Sequence, residues 1–178
     1  NFCKENLGTF TKSEFRSLYR SKRTEVTKDL SPQGVCRSRL LAFLLLFEEL
    51  NVKNSYSLAL TYELIYWNEF IEVIKPNKEI FLFLKKCKQL GLSTCAISDM
   101  QTNFQIRKLE KLNAFKVIDF LVTSEEVGYE KPEAIIFEKA LKKLSINGCN
   151  EITAIPLYPH YAMSSSLTTI NHIKELNV

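Results

Sequence analysis

Apolar positions fall into two textures along the chain, and the change comes at Pro76. Before it the spacing is helical. Phe15, Leu18 and Tyr19 recur at i, i+3, i+4 and predict one apolar stripe on a first helix. Thr11-Lys12-Ser13-Glu14 ahead of that stripe has the form of a capping box. Arg16, Arg20, Lys22 and Arg23 fall on the other side and read as a solvated basic face. Pro32 and Gly34 punctuate a loop. A strongly apolar helix is then expected over 37–50 and a third over 55–71. Leu58, Tyr62, Ile65, Tyr66 and Phe70 give the third a broad apolar face. Trp67 is either core or a platform for a ligand ring. Short connections predict a small antiparallel bundle.

After Pro76, helices alternate with short apolar runs. A helix is expected over 77–90, stopped by Gly91, then a strand over 92–97 and an amphipathic helix over 101–113. A second strand over 117–122, a helix over 133–144, a third strand over 151–157 and a last short helix over 167–176 complete the series. This is the rhythm of a parallel α/β sheet with crossover helices.

Composition narrows the class. Of 178 residues, 46% are hydrophobic and 25% charged, with five Gly and five Pro, which is globular composition. A net charge of +4 without a clustered basic stretch does not argue for nucleic acid. The longest apolar run, Leu40 to Phe47, is too short for a membrane span. Five cysteines without C-x-x-C spacing, and two histidines, do not make a zinc site. Free thiols of this kind fit a reducing cytoplasm, the expected location.

Ligands of open α/β sheets sit at the carboxyl ends of the strands. After the first strand come Ser98 and Asp99, either a helix cap or a phosphate contact beside a helix amino terminus. After the second comes the segment Thr123 to Glu133, in which Pro132 suits the first position of a helix. Lys131 then stands at the mouth of that helix, where the dipole does not favour a cation. It either answers an anion or reaches back to Glu125 or Glu126.

The strings Ala96-Ile97-Ser98-Asp99 and Gly128-Tyr129-Glu130-Lys131-Pro132-Glu133-Ala134-Ile135-Ile136-Phe137 resemble the haloacid dehalogenase (HAD) superfamily of phosphatases. The resemblance covers about residues 1–144. It implies an α/β, Rossmann-like HAD core with an N-terminal helical cap over 1–75 and a core segment over 76–146. It further implies magnesium-dependent hydrolysis of a small phosphorylated molecule through an aspartyl phospho-enzyme. Ser98, Asp99 and Lys131 would be the phosphate-binding residues, with Lys131 also the catalytic cation that neutralises the phosphoryl group.

Against the family's pattern, the chain has three aspartates, Asp29, Asp99 and Asp119, and none at D-x-D spacing. The acidic pair expected after a strand at 151–157 is also missing. The resemblance therefore implies an incomplete core without the nucleophile or Mg2+ ligands, starting where the cap should start. No turnover is expected from it. A sheet without its central first strand predicts low stability and a tendency to self-associate.

The last segment, 147–178, resembles a different family. Ile152-Thr153-Ala154-Ile155-Pro156-Leu157-Tyr158-Pro159-His160-Tyr161, followed by Ser164-Ser165-Ser166-Leu167, is similar to ferrochelatase. That resemblance implies a second reading, a haem-synthesis fragment or fusion, with Tyr158, His160 and Tyr161 as porphyrin contacts. The same residues also read as an ordinary buried turn. A third reading is a non-catalytic module in which Ser98, Lys131 and a helix amino terminus hold an anion.

Overall fold

A computed structural model describes residues 10–155 and 157. These fall into two compact units. The described residues of the first lie within Asn1–Ser31 and Cys36–Val73, and those of the second within Pro32–Val35 and Ile74–Val178.

The first unit holds three helices: α1 (Lys12–Leu30), α2 (Arg39–Glu49) and α3 (Ser55–Val73). The capping box forms as the sequence predicts. Thr11 Oγ1 accepts from the Glu14 amide at 3.2 Å, and Glu14 returns a carboxylate to the Thr11 amide at 2.8 Å. Phe43, Leu46, Phe47, Ala59 and Tyr62 make the core, with Phe15, Leu18 and Tyr19 packed on it. The Tyr62 ring meets Phe43 tilted and Phe47 edge-on, the geometry their quadrupoles favour.

Two expectations change here. Ile65 and Phe70 are exposed, so the buried face of α3 is narrower than its apolar pattern and runs through Ala59, Tyr62, Glu63, Trp67 and Ile71. The basic face of α1 is also not uniformly solvated. Lys22 pairs with Glu25 at 2.8 Å and with Glu49, because α2 brings an acid beside it. Trp67 is core, edge-on to Tyr66 and Phe70.

The second unit holds α4 (Lys78–Gln89), β1 (Cys95–Ser98), α5 (Thr102–Lys111), a 3-10 turn (Ala114–Lys116), β2 (Phe120–Thr123), α6 (Ser124–Val127) and α7 (Ala134–Ile146). β1 and β2 pair in parallel, Cys95 opposite Phe120 through to Ser98 opposite Thr123. Parallel neighbours need a crossover connection, and α5 lies between them in sequence as part of it. Val122, Ile136, Phe137 and Ala140 form the core, with Cys95, Ile97 and Val127 packed against it.

Each strand starts three residues later than its apolar run. Leu92 is used by the end of α4: its amide bonds to the Cys87 carbonyl at 3.0 Å, and the Gly91 amide to Lys88 at 3.1 Å. Gly91 sits at φ 73°. This double bond is the Schellman ending, which requires a left-handed residue. Val117 likewise closes the 3-10 turn, its amide 2.9 Å from the Ala114 carbonyl. Thr94 and Asp119 then register the strands: Asp119 accepts from the Thr94 amide at 2.9 Å, and Lys88 holds the same carboxylate. That lysine contact holds the Asp119 carboxyl below its usual range.

The expected third strand is not found among the described residues. Residues 151–155 carry no strand, and Thr153, Ala154 and Ile155 are exposed. Alternating apolar residues become a strand only against a partner edge, and α7 closes at Gly148 without delivering the chain to one. The short helix expected over 167–176 lies outside the described residues. Among the described residues no helix is long and apolar enough to cross a membrane.

Glu63 gives a pH test of the helical unit. It is 5% exposed and accepts from the Leu40 amide at 3.1 Å. Burial pushes its carboxyl above the ordinary value, opposed by the Leu40 and Trp67 hydrogen bonds and by Arg39. The unfolded chain therefore releases this proton first as pH rises. The stability Glu63 contributes is full at low pH and falls as pH rises through its folded-state value. We expect Glu63→Gln to match the unsubstituted chain below about pH 4 and to exceed it in thermal midpoint at neutral pH. A difference that grows on acidification instead would contradict this.

Candidate phosphate site

Ser98 and Thr123 end the two strands side by side. Their hydroxyls have different fates. Thr123 is fully buried, pairs with the Thr102 hydroxyl at 2.7 Å and accepts from the Glu126 amide at 3.2 Å. The Ser98 side chain has no such bond among the described residues, while its carbonyl takes the Met100 amide at 3.0 Å. One strand end is thus committed to structure and the other presents an unengaged hydroxyl.

Lys131 is brought to the same end. Its Nζ lies 3.2 Å from Asp99 Oδ2 and 3.4 Å from the Ile97 carbonyl, and its amide donates to Asp99 Oδ1 at 2.8 Å. Both charged side chains are mostly buried, at 13% and 19% exposed. Asp99 therefore holds Lys131 twice, by backbone and by side chain. Of the alternative partners, Glu126 pairs instead with two α7 lysines, Lys143 at 3.0 Å and Lys139 at 3.6 Å, and Glu125 turns to α5. α7 begins at Ala134, behind a cis Lys131–Pro132 bond, so Lys131 precedes the helix by a short turn.

The α5 amino terminus is not free for a ligand in the way the sequence suggests. Its cap residue, Gln101, gives no side-chain bond, but the Thr102 amide donates to Glu125 Oε2 at 2.7 Å. A carboxylate already sits where the helix dipole favours an anion. Glu125, Thr102 and Thr123 are structural members of the site that spacing does not reveal, because each acts across a gap of more than twenty residues.

A loop from between α1 and α2 supports this end. The Gly34 amide donates to the Gly128 carbonyl at 2.7 Å, the Glu130 amide to Pro32 at 2.9 Å, and Ser124 Oγ to the Gly34 carbonyl at 3.1 Å. Gln33 and Tyr129 form an antiparallel bridge. The sequence offers Gly34 only as a loop signal.

Tyr158, His160 and Tyr161 lie outside the described residues. The magnesium implied by the resemblance meets no donor set among the described residues. Among the described residues no three His, Cys, Asp or Glu side chains converge as a metal site, and Asp99 is occupied by a lysine. A hard divalent cation needs several oxygen ligands, so no step is assigned to one here. The Cys95 thiol, beneath the site in β1, is pushed up to about 11 by burial and stays protonated at neutral pH.

Comparison with known proteins decides the family. The profile of haloacid dehalogenase-like hydrolases matches residues 2–153. The chain belongs to this family. The HAD match accounts for the α/β, Rossmann-like core, and it runs past residue 147 into the last segment. Similar HAD proteins include the ribulose-1,5-bisphosphate 5-phosphatase of Halopiger xanaduensis, 27% identical over 76% of this chain and 56% of that protein. The glyceraldehyde 3-phosphate phosphatase of Methanothermobacter thermautotrophicus is 36% identical over 47% of this chain and 36% of that protein. Its namesake from Methanocaldococcus jannaschii is 31% identical over 46% and 36%. The chain spans about half the length, or less, of the curated relatives it matches.

Gly34 tests whether the supporting loop matters. A Cβ there would lie 2.1 Å from the Ser124 carbonyl oxygen, a backbone atom that cannot swing aside. We expect Gly34→Ala to cost about 1–3 kcal/mol, as overpacking does, measured by urea unfolding. An unchanged midpoint would show that the loop does not hold α6.

Proposed function

We propose that this chain supplies the phosphate-binding core and the helical cap of a phosphatase acting on a small phosphorylated molecule. One observation carries the reading. Lys131 is fixed by Asp99 at the strand end where Ser98 presents an unengaged hydroxyl. Ser98 would donate to a phosphoryl oxygen. The Lys131 ammonium would pair with the phosphoryl charge in a partly desolvated setting, where such a contact is stronger than in water. Asp99 cannot itself favour a phosphate, since both are anionic. Its part would be to hold Lys131 at the right height. The names of the relatives support a phosphorylated substrate.

Hydrolysis in this family's manner needs an aspartate nucleophile, and the chain has no D-x-D pair. The 178-residue chain is therefore expected to bind phosphate without turning over an ester. In that form it is the anion-binding module of the third reading with Ser98 and Lys131 alone, since Glu125 holds the α5 amino terminus. The helical unit over 1–75 would act as the cap.

The test combines binding and turnover. Inorganic phosphate should shift the Ser98 and Lys131 amide resonances of the chain. Lys131→Gln should abolish those shifts, and Ser98→Ala should weaken the binding they report by about tenfold, the scale of one charge-assisted bond. With Mg2+ present, para-nitrophenyl phosphate should release no product above the blank. Shifts that survive Lys131→Gln would overturn the site. Turnover would overturn the incomplete-core reading.

A further inference from the structure

The second unit carries a groove that the phosphate site does not use. It lies between α4 and the 3-10 turn and has a volume of about 610 Å³. Lys78, Phe81, Leu82 and Lys85 recur at i, i+3, i+4, i+7, so one face of α4 makes the first wall. Lys116 and Val117 belong to the second wall. Val117 precedes β2, whereas Thr123 and its neighbour Ser98 end the two strands. The groove is thus set at the other end of β2 from the phosphate site. Phe81, Leu82 and Val117 give it an apolar floor. No residue of α4 is fully buried, and Leu82 is 68% exposed. Contiguous apolar surface left in water marks an interaction site.

The charges around that floor decide what it fits. Lys78, Lys85 and Lys116 are exposed, and among the described residues no ion pair takes any of them. Lys88, further along α4, differs, since Asp119 holds it. None of the described lining residues is acidic. Glu79 on α4 and Glu110 on α5 are exposed and do not line the groove. Lys78 and Lys85 stand two turns apart, about 10 Å along the helix axis. One small anionic head group cannot meet both. Acids two turns apart on a second helix can. A small molecule would also need a site that buries most of its surface, which a floor as exposed as Leu82 does not provide. The chain's own segments outside the described residues do not complement the rim: 1–9 offers Glu5 beside Lys4, and 158–178 offers Glu175 beside Lys174. A second copy, groove to groove, would set lysines against lysines.

We propose that this groove takes an acidic amphipathic helix of a partner protein. Apolar side chains of the partner lie over Phe81, Leu82 and Val117, in the helix-in-groove manner. Its flanking carboxylates meet Lys78, Lys85 and Lys116, which steer the encounter and set its orientation. The groove shares no residue with the Ser98–Lys131 site, so the proposal stands if that site fails.

The probe is a fluorescein-labelled helical peptide of about sixteen residues, long enough to hold a helix. It carries Leu at i, i+3, i+4, i+7, Glu on both flanks of that stripe and Ala elsewhere. A second peptide has Lys in place of each Glu. Anisotropy of the full chain with the acidic peptide should show saturable binding that weakens as salt is added, and the basic peptide should not bind. Replacing Lys78, Lys85 and Lys116 together by Gln should weaken binding by about tenfold, the joint loss of three exposed ion pairs. Leu82→Ser should weaken it by a similar factor through the floor. Equal binding of the two peptides, no binding of the acidic one, or affinity unchanged by both variants would overturn the proposal. Two further results would assign the groove to another occupant and overturn it as well. One is a dimer in sedimentation that Leu82→Ser dissolves. The other is co-sedimentation with phosphatidylserine vesicles that the triple lysine variant abolishes.

Discussion

Two carboxylates at the carboxyl end of a two-stranded sheet hold the second unit's site in place. Asp99 takes the Lys131 amide and ammonium, and Glu125 takes the Thr102 amide. These bonds run in opposite senses between the segments that follow β1 and β2. A parallel pair leaves its post-strand segments side by side but does not join them. Side chains must do so, and here charge-assisted bonds do. Thr123, buried between, adds a neutral link to Thr102. The consequence is a strand end whose cation is fixed and whose Ser98 hydroxyl has no hydrogen-bond partner among the described residues.

Much of this organisation was legible where the signal was local. The Thr11–Glu14 box, the helix stop at Gly91 and the alternation after Pro76 all report the backbone of their own neighbourhood. Lys131 was legible because a cation near a helix mouth is out of place unless something anionic meets it. The structure adds that Asp99 meets it. The strand limits were not legible, since Leu92 and Val117 have apolar side chains but spend their amides on turns. Glu125, Thr102 and Gly34 were not legible either. Their roles exist only once distant segments meet.

The helical unit uses the same device. Glu63 reaches from α3 to the α2 amino terminus and is buried there, as Glu125 is set on α5. On α1, Lys22 is met by Glu25 and by Glu49 of α2.

Amide hydrogen exchange tests the central claim most directly. The Lys131 and Thr102 amides lie outside strands, and loop amides exchange fast unless a partner protects them. The account predicts protection at both, comparable to the β1–β2 ladder. It also predicts that Asp99→Asn speeds exchange at Lys131 while Thr102, held by Glu125, stays slow. Exchange of both amides at loop rates in the unsubstituted chain would contradict it.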